Sequence, residues 1–589
     1  MASLCLGAIL YQDLILQHYF APEDKVAAPY QSSRTQLGDH YYYYILSRKA
    51  VVKFNPFAEN RQEQPFFHEN SGLENIYPGA LLVAGLLDAI AKLAPINWNL
   101  KMVLSLVFQV GFLFATALMA YALLRRDKPV PWIELVIFGF LLAYFCRGVI
   151  YGAYGGALTY PFTTPAFYYP DFLRLVNPQM TWAYFFVYLA ALILYFENPG
   201  RKHYAFIIAL SLLYGLFSIV LTATVILGLG LYGLSLLARE RKIDIPLLGI
   251  GIALMASFLF ARYQLDLFHQ SAKGINLKTG DFIGIKFKYY YFFLLVFLPL
   301  IRKYLPPSTR SPLSWLYLAA LLLGAVGESF HLGGRIWLRG SGIIVHFLVI
   351  YSIVEFARGA FADYWDSVKT RSVTAIVVLT SLTVVVFYAL GTKLDGWHGY
   401  IEKDKGDVIE WLRSNSSRDD VVLSADLEDA YLIPLYTNAQ PYVQLFDYSP
   451  LNLEQLMRRY FRALDLSGKK QEYLVEIMKF EKQQRTDIHN QLRKGADKRL
   501  DYDLYQAHAF YSEVMYYPYN KEVEHIFSTP EENLEFDQRL VSIAADSSAE
   551  ELGHIDFVIH QKKHVNKYPD GYRIRFENNL YAVLSPAGS

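Results

Sequence analysis

The chain has 589 residues and a formal net charge of +1, from 55 Lys and Arg against 54 Asp and Glu. That length exceeds what one hydrophobic core organises, and so balanced a charge excludes a partner such as nucleic acid held by bulk attraction. The only cysteines, Cys5 and Cys146, both lie in apolar stretches, which excludes a disulfide framework and a thiolate metal centre.

Apolar residues dominate up to about Gly391, and the remainder is charged and mixed, so the composition predicts a membrane part over 1–392 and a soluble part over 393–589. Runs near the roughly 20 residues needed to cross a bilayer occur at 3–20, 101–124, 131–152, 180–196, 203–219, 220–238, 244–262, 286–302, 313–329, 340–358 and 372–392, about eleven spans. The first follows Met1 almost directly, without the basic leader or small-residue cleavage site of a cleaved signal, and reads as a spanning helix. Basic residues cluster in short connections: Arg125, Arg126 and Lys128; Arg201 and Lys202; Arg239, Arg241 and Lys242; Arg302, Lys303 and Arg310; Arg358, Lys369 and Arg371. The positive-inside rule puts all of these on the cytoplasmic side, and two predicted helices separate each consecutive pair. Residues 77–96 are apolar enough to resemble a span, but a crossing there would invert everything after it; they are predicted to form an interfacial helix outside.

The predicted fold class is therefore a polytopic α-helical membrane protein with a C-terminal soluble α/β domain. The N-terminus is cytoplasmic, a long outer loop covers 21–99, and the domain lies on the outer side. Within that domain, DVIEWLRSNSSRDDVVLS reads as helix, turn and β-branched strand, and HIDFVIH and NLYAVLS read as later strands. The charge-rich stretch 456–500 reads as a solvated helical face. The many tyrosines and phenylalanines read as interfacial belts together with packing.

The first outer loop carries the densest chemistry: Asp39 and His40 ahead of Tyr41 to Tyr44, then Arg48, then His68, Glu69, Asn70 and Glu74. A carboxylate at a lipid boundary can deprotonate an acceptor hydroxyl or hold a divalent cation, Mg or Mn; Asp39 is equally suited to cap a helix beginning at Tyr41. Other outer cations are Arg174, beside Asp171 in the second outer loop, and Arg335 and Arg339, four apart among glycines. They suit a phosphate ligand, or, for the last two, a snorkelling role. Arg147 sits near the outer end of a span, either facing a substrate or paired with Glu328, and His346 reads as a packed polar residue in an apolar helix. No phosphate-binding Gly-rich loop, His-Glu-x-x-His or Gly-x-Ser-x-Gly motif is present.

A short first helix, a long outer loop with Asp39, Tyr41 to Tyr44 and Arg48, and a helix led by Tyr77-Pro78-Gly79 together resemble GT-C glycosyltransferases. The likeness is to the oligosaccharyltransferase catalytic subunit and its bacterial relatives, and it covers the membrane part in layout but only this loop in motif. The resemblance implies a catalytic role for Asp39, with Arg174, Arg335 and Arg339 on the donor phosphate and His40, Tyr41, Arg48, His68, Glu69, Asp171 and Arg147 around the substrate. Two departures matter: the second outer loop has no Asp-x-Asp or Asp-x-Glu pair, and the C-terminal part has no Trp-Trp-Asp. Both turn the expectation away from protein N-glycosylation and toward transferases that use polyprenyl-phosphate sugars, with a lipid, glycan or protein acceptor. The overall likeness favours a bacterial inner membrane with a periplasmic domain. A lipid or polysaccharide flippase and an assembly scaffold are the competing expectations; the former predicts internal repeats and broken helices with midplane polar sites.

Overall fold

The computed structural model describes residues 3–4, 19, 23–27, 78–125, most of 130–142, 179–271, 289–326 and 340–360 of the membrane part. In the C-terminal part it describes 400–443 apart from 418 and 427–428, then 453–467, a few positions within 538–545, 553–562 and 568–587. The membrane part comprises β1 (Lys25–Ala27), α1 (Pro78–Lys92), α2 (Trp98–Leu124), α3 (Gln179–Glu197), α4 (Arg201–Leu213), a 3-10 turn (Tyr214–Leu216), α5 (Ile219–Glu240) and α6 (Ile245–Ser271). A second 3-10 segment (Tyr289–Phe297), α7 (Leu298–Tyr304), α8 (Pro307–Val326) and α9 (Gly342–Ala360) follow.

Among the described residues, five helices are long and apolar enough to cross a membrane, those within α2, α3, α5, α6 and α9, as expected of a multi-pass membrane protein. Their backbone groups pair internally, which is the condition for entering hydrocarbon. The crossing windows of α2 and α3 are 72% and 78% buried and those of α5 and α6 only 33%, so the former pair occupies the bundle centre. The latter pair turns Leu234, Ile252, Met255 and Leu259 outward as lipid-facing surface.

Two predicted spans differ from a continuous α-helix. Over 203–219, α4 stops after 13 residues and passes through the 3-10 turn. Over 286–302, nine residues are 3-10 and only then does α7 begin, with a proline in its first turn that cannot donate a backbone hydrogen bond. The predicted spans at 3–20, 131–152 and 372–392 fall wholly or largely outside the described residues. So does the boundary between 392 and 393.

Helix α1 forms within the stretch expected to be interfacial. Its 15 residues extend about 22 Å at 1.5 Å per residue, too short for a roughly 30 Å hydrocarbon core. It does not lie free on a surface, however: α1 packs along α2 and against α3, burying Gly79, Ala80, Ala84, Gly85 and Ala91. These small residues allow close helix approach.

Tyrosines fill the bundle interior as well as its borders. Tyr121, Tyr188, Tyr214, Tyr317 and Tyr351 are fully buried, and Tyr317 donates its hydroxyl proton to the Leu294 carbonyl at 2.6 Å. His346 is buried among apolar neighbours in α9, as expected. At the end of the bundle where α2 finishes, Arg125 pairs with Glu134 and, through Nε at 2.9 Å, with Glu355. Arg358 reaches Glu355 at 3.5 Å, and the Tyr121 hydroxyl donates to Glu134 at 2.5 Å. Two arginines thus neutralise two glutamates in a region that is almost completely closed.

The C-terminal part begins with β2 (Tyr400–Glu402), α10 (Lys403–Asn415), β3 (Val421–Ser424), α11 (Asp429–Tyr436), β4 (Gln440–Pro441) and α12 (Leu453–Leu466), and ends with β5 (Phe557–Gln561), β6 (Tyr572–Glu577) and β7 (Tyr581–Pro586). The sheet order is β4-β3-β5-β7-β6, with β4, β3 and β5 parallel and β7 and β6 antiparallel. The predicted helix-turn-strand and the two later strands are present as α10, β3, β5 and β7. Not all of the charge run is solvated: Arg459 of α12 is buried, with its guanidinium 5.1 Å from the Tyr442 ring centre.

Two contacts fix sides. β1 pairs antiparallel with β2, Val26 opposite Ile401, and Trp98 at the start of α2 meets Tyr436 edge-on at 4.7 Å. Residues 25–27, the start of α2 and the α/β domain therefore share one side of the bundle. An even number of predicted crossings separates Ala27 from Tyr400, as that shared side requires.

Candidate functional site

Every residue singled out from the sequence as catalytic, phosphate-binding or substrate-binding lies outside the described residues: Asp39, His40, Tyr41, Arg48, His68, Glu69, Arg147, Asp171, Arg174, Arg335 and Arg339. What the structure does describe is where the segments carrying most of them join the bundle, and these junctions meet at the turn between α4 and α5.

That turn lies below the bundle's domain-side edge. Its backbone is level with Ser257 of α6, about 18 Å along the helix from Ile245, and α6 continues about 21 Å further to Ser271. α6 thus extends past the turn, whereas α5, which starts just after it, is 22 residues long, about 33 Å and enough to cross a roughly 30 Å core. A chain reversal buried in the bundle needs internal partners for its backbone groups. Ser257 Oγ accepts from the Gly215 amide at 2.6 Å and donates to the Leu212 carbonyl at 2.9 Å. Tyr184 donates to the Leu210 carbonyl at 2.7 Å, and Ser218 caps α5 by accepting from the Leu221 amide at 3.2 Å. Gly215 is required here because a side chain would collide with the backbone of Ser257.

An aromatic floor surrounds the turn. Phe217 stacks on Tyr184 at 3.8 Å, and Tyr214 stacks on Tyr188 at 4.7 Å. Three chain junctions close on this floor. Gly79, the second residue of α1, lies so near Phe217 that an added Cβ would approach its ring to 2.7 Å. Gly340 lies directly against Val220 in the first turn of α5, where a Cβ would again collide. Tyr184 itself is five residues beyond Gln179, where α3 begins. The segment with Asp39, His40, Tyr41, Arg48, His68 and Glu69 thus ends at α1 beside Phe217. The segment with Arg147, Asp171 and Arg174 ends at α3, and the one with Arg335 and Arg339 ends one bond from Gly340.

Two buried hydroxyls near this floor have no hydrogen-bond partner among the described residues, those of Tyr214 and Ser341. Buried hydroxyls are ordinarily paired, so both are open donors or acceptors for a polar molecule or water reaching the turn. The sequence reading passed over Tyr214, Phe217, Ser218 and Ser341 because they sit inside apolar runs. The available signal was the Tyr-Gly-Leu-Phe-Ser order, in which a glycine and a helix-capping serine interrupt a span.

Among the described residues, no group of three or more His, Cys, Asp or Glu side chains is arranged to hold a metal ion. Asp39, the carboxylate suited either to act as a base or to hold a divalent cation, is not among those described. In comparisons with known proteins, no family model and no curated protein matches this chain.

Proposed function

We propose that this protein is a membrane glycosyltransferase of the GT-C type. It moves a sugar from a polyprenyl-phosphate-linked donor to a lipid, glycan or protein acceptor on the side of the membrane that carries the α/β domain. In this reading Asp39 is the base that takes the acceptor proton. Arg174, Arg335 and Arg339 hold the donor phosphate and steady the negative charge that develops on it as the glycosidic bond breaks. The compartment follows as the bacterial periplasm, with the N-terminus cytoplasmic.

One observation carries the proposal: the segment bearing Asp39 and the one bearing Arg335 and Arg339, far apart in sequence, are followed by Gly79 against Phe217, just before α5, and by Gly340 against Val220, in its first turn. An aromatic floor at the start of a helix long enough to cross the membrane suits a substrate whose lipid lies in the bilayer and whose phosphate lies near its surface. The 3-10 turn between α4 and α5 also favours a second reading, a flippase that moves such a lipid without covalent chemistry.

The test uses purified protein in nanodiscs with a radiolabelled polyprenyl-phosphate sugar and an acceptor extract. Transfer of label to acceptor in the wild type, reduced at least about a hundredfold in Asp39→Asn, is expected of general-base loss. Undiminished transfer by Asp39→Asn overturns the assignment of the base. Translocation of intact donor with no transfer selects the flippase.

A further inference from the structure

The junction between the α/β domain and the bundle contains a buried charged cluster that the proposed reaction does not use. Lys405, in the first turn of α10, is 3% exposed. Its Nζ lies 2.5 Å from Asp429 Oδ1 and 3.1 Å from Asp426 Oδ2, and 5.1 Å from the centre of the Tyr581 ring. Ser424, the last residue of β3, donates to the other oxygen of Asp429 at 2.5 Å, and the Asp426 amide donates to Ser424 Oγ at 3.1 Å. One side chain of α10 thereby ties together the end of β3 and the first turn of α11, beside β7.

Both helices reach beyond the domain. The start of α10 holds β1: the Lys403 amide donates to the Asp24 carbonyl at 2.8 Å, and Gly406 faces Val26 closely enough that a Cβ would approach it to 2.9 Å. In α11, Ile433 packs into the domain core, whereas Leu432, Leu435 and Tyr436 join the bundle core, with Tyr436 on Trp98. β1 precedes the segment that carries Asp39. Trp98 begins α2, beyond the C-terminal end of α1.

We propose that the Lys405 cluster is a latch that couples the docking of the α/β domain on the bundle, through α11, to the anchoring of β1, through α10. Lys405 is in this view a positioning residue. The physical reason is that a buried lysine with two carboxylate neighbours cannot be pulled from one of them without leaving charge unpaired in a closed space. Movement of α11 away from Trp98 therefore loads the α10 start, and with it the β1–β2 pair.

Hydrogen exchange followed by mass spectrometry on the full chain in nanodiscs tests this. Lys405→Met keeps the length and removes the charge. It is expected to raise exchange of the β1 and β2 amides and of the first turn of α11 by roughly tenfold or more, while β5 and β7 keep wild-type protection. Trp98→Ala leaves the cluster intact and breaks the docking contact, and it is expected to raise exchange at the same β1 and β2 amides. Unchanged β1 and β2 exchange in either variant overturns the latch. Loss of protection across the whole sheet in Lys405→Met also overturns it, because the lysine would then support only the domain's own fold.

Discussion

The two ends of the membrane bundle are built on different principles. At the end away from the α/β domain, Arg125, Glu134, Glu355 and Arg358 neutralise one another, the Tyr121 hydroxyl is engaged, and Tyr351 shares its hydroxyl proton between the Leu124 and Tyr304 carbonyls. At the domain side, α4 stops short at a 3-10 turn, and Tyr214 and Ser341 keep hydroxyls without partners among the described residues. Satisfied polar networks fix a single arrangement, whereas open polar groups store a capacity to bind. In the proposed function the open end is the one that meets the substrate, and Gly79 and Gly340 pack there against Phe217 and Val220.

The largest test of this contrast removes the centre of the closed end. Arg125→Met leaves Glu134 and Glu355 buried without their main partner, a loss expected to cost about 3–5 kcal/mol. Thermal unfolding in detergent should show it as a large drop in Tm. Ser341→Ala at the open end removes an unpaired hydroxyl and should leave Tm nearly unchanged. Equal drops in the two variants would mean that the ends are not distinct in kind.

The next test uses charge balance. In the junction cluster a single lysine faces Asp426 and Asp429, and burial raises the Asp429 carboxyl from 3.8 to about 6, partly opposed by Lys405. A folded state that holds this proton more tightly than the unfolded one gains stability that is complete below the ordinary carboxylate range and is lost as pH rises to about 6. The wild-type domain should therefore lose stability from this group between about pH 4 and pH 6, read by denaturant unfolding across that range. Asp429→Asn should flatten that part of the profile. An unchanged profile in the variant would remove Asp429 as its source.

The sequence made these regions legible to unequal degrees. Val421–Ser424, Phe557–Gln561 and Tyr581–Pro586 were readable as strands because β-branched and aromatic residues between turn signals admit little else. The long apolar helices were readable for a similar reason, since length and lack of charge suffice. The break at Gly215 was hidden, because its causes, the Ser257 hydroxyl and the packing of Tyr184, come from other helices. The Lys405 cluster was hidden too: Lys405 and Asp426 are 21 positions apart and read as solvated charges until β3 brings them together. The candidate site was legible only as separate loops, and the packing of the residues that follow two of them, Gly79 on Phe217 and Gly340 on Val220, is a property of tertiary structure.

The smallest test compares two buried tyrosines of the bundle. Tyr317 donates to the Leu294 carbonyl at 2.6 Å, whereas the Tyr214 hydroxyl has no partner among the described residues. Replacing each by phenylalanine removes one oxygen and keeps the ring. For Tyr317→Phe the carbonyl loses its donor, and a cost of about 1 kcal/mol is expected. For Tyr214→Phe a buried group that makes no bond is removed, so the ligand-free protein should be unchanged or more stable by up to about 1 kcal/mol. If Tyr214 instead meets the bound donor or a water that serves it, donor affinity should fall in Tyr214→Phe while thermal stability does not. That opposite movement of stability and affinity is expected of a group kept unpaired for a ligand, and a matched loss of both would return Tyr214 to the structural interior.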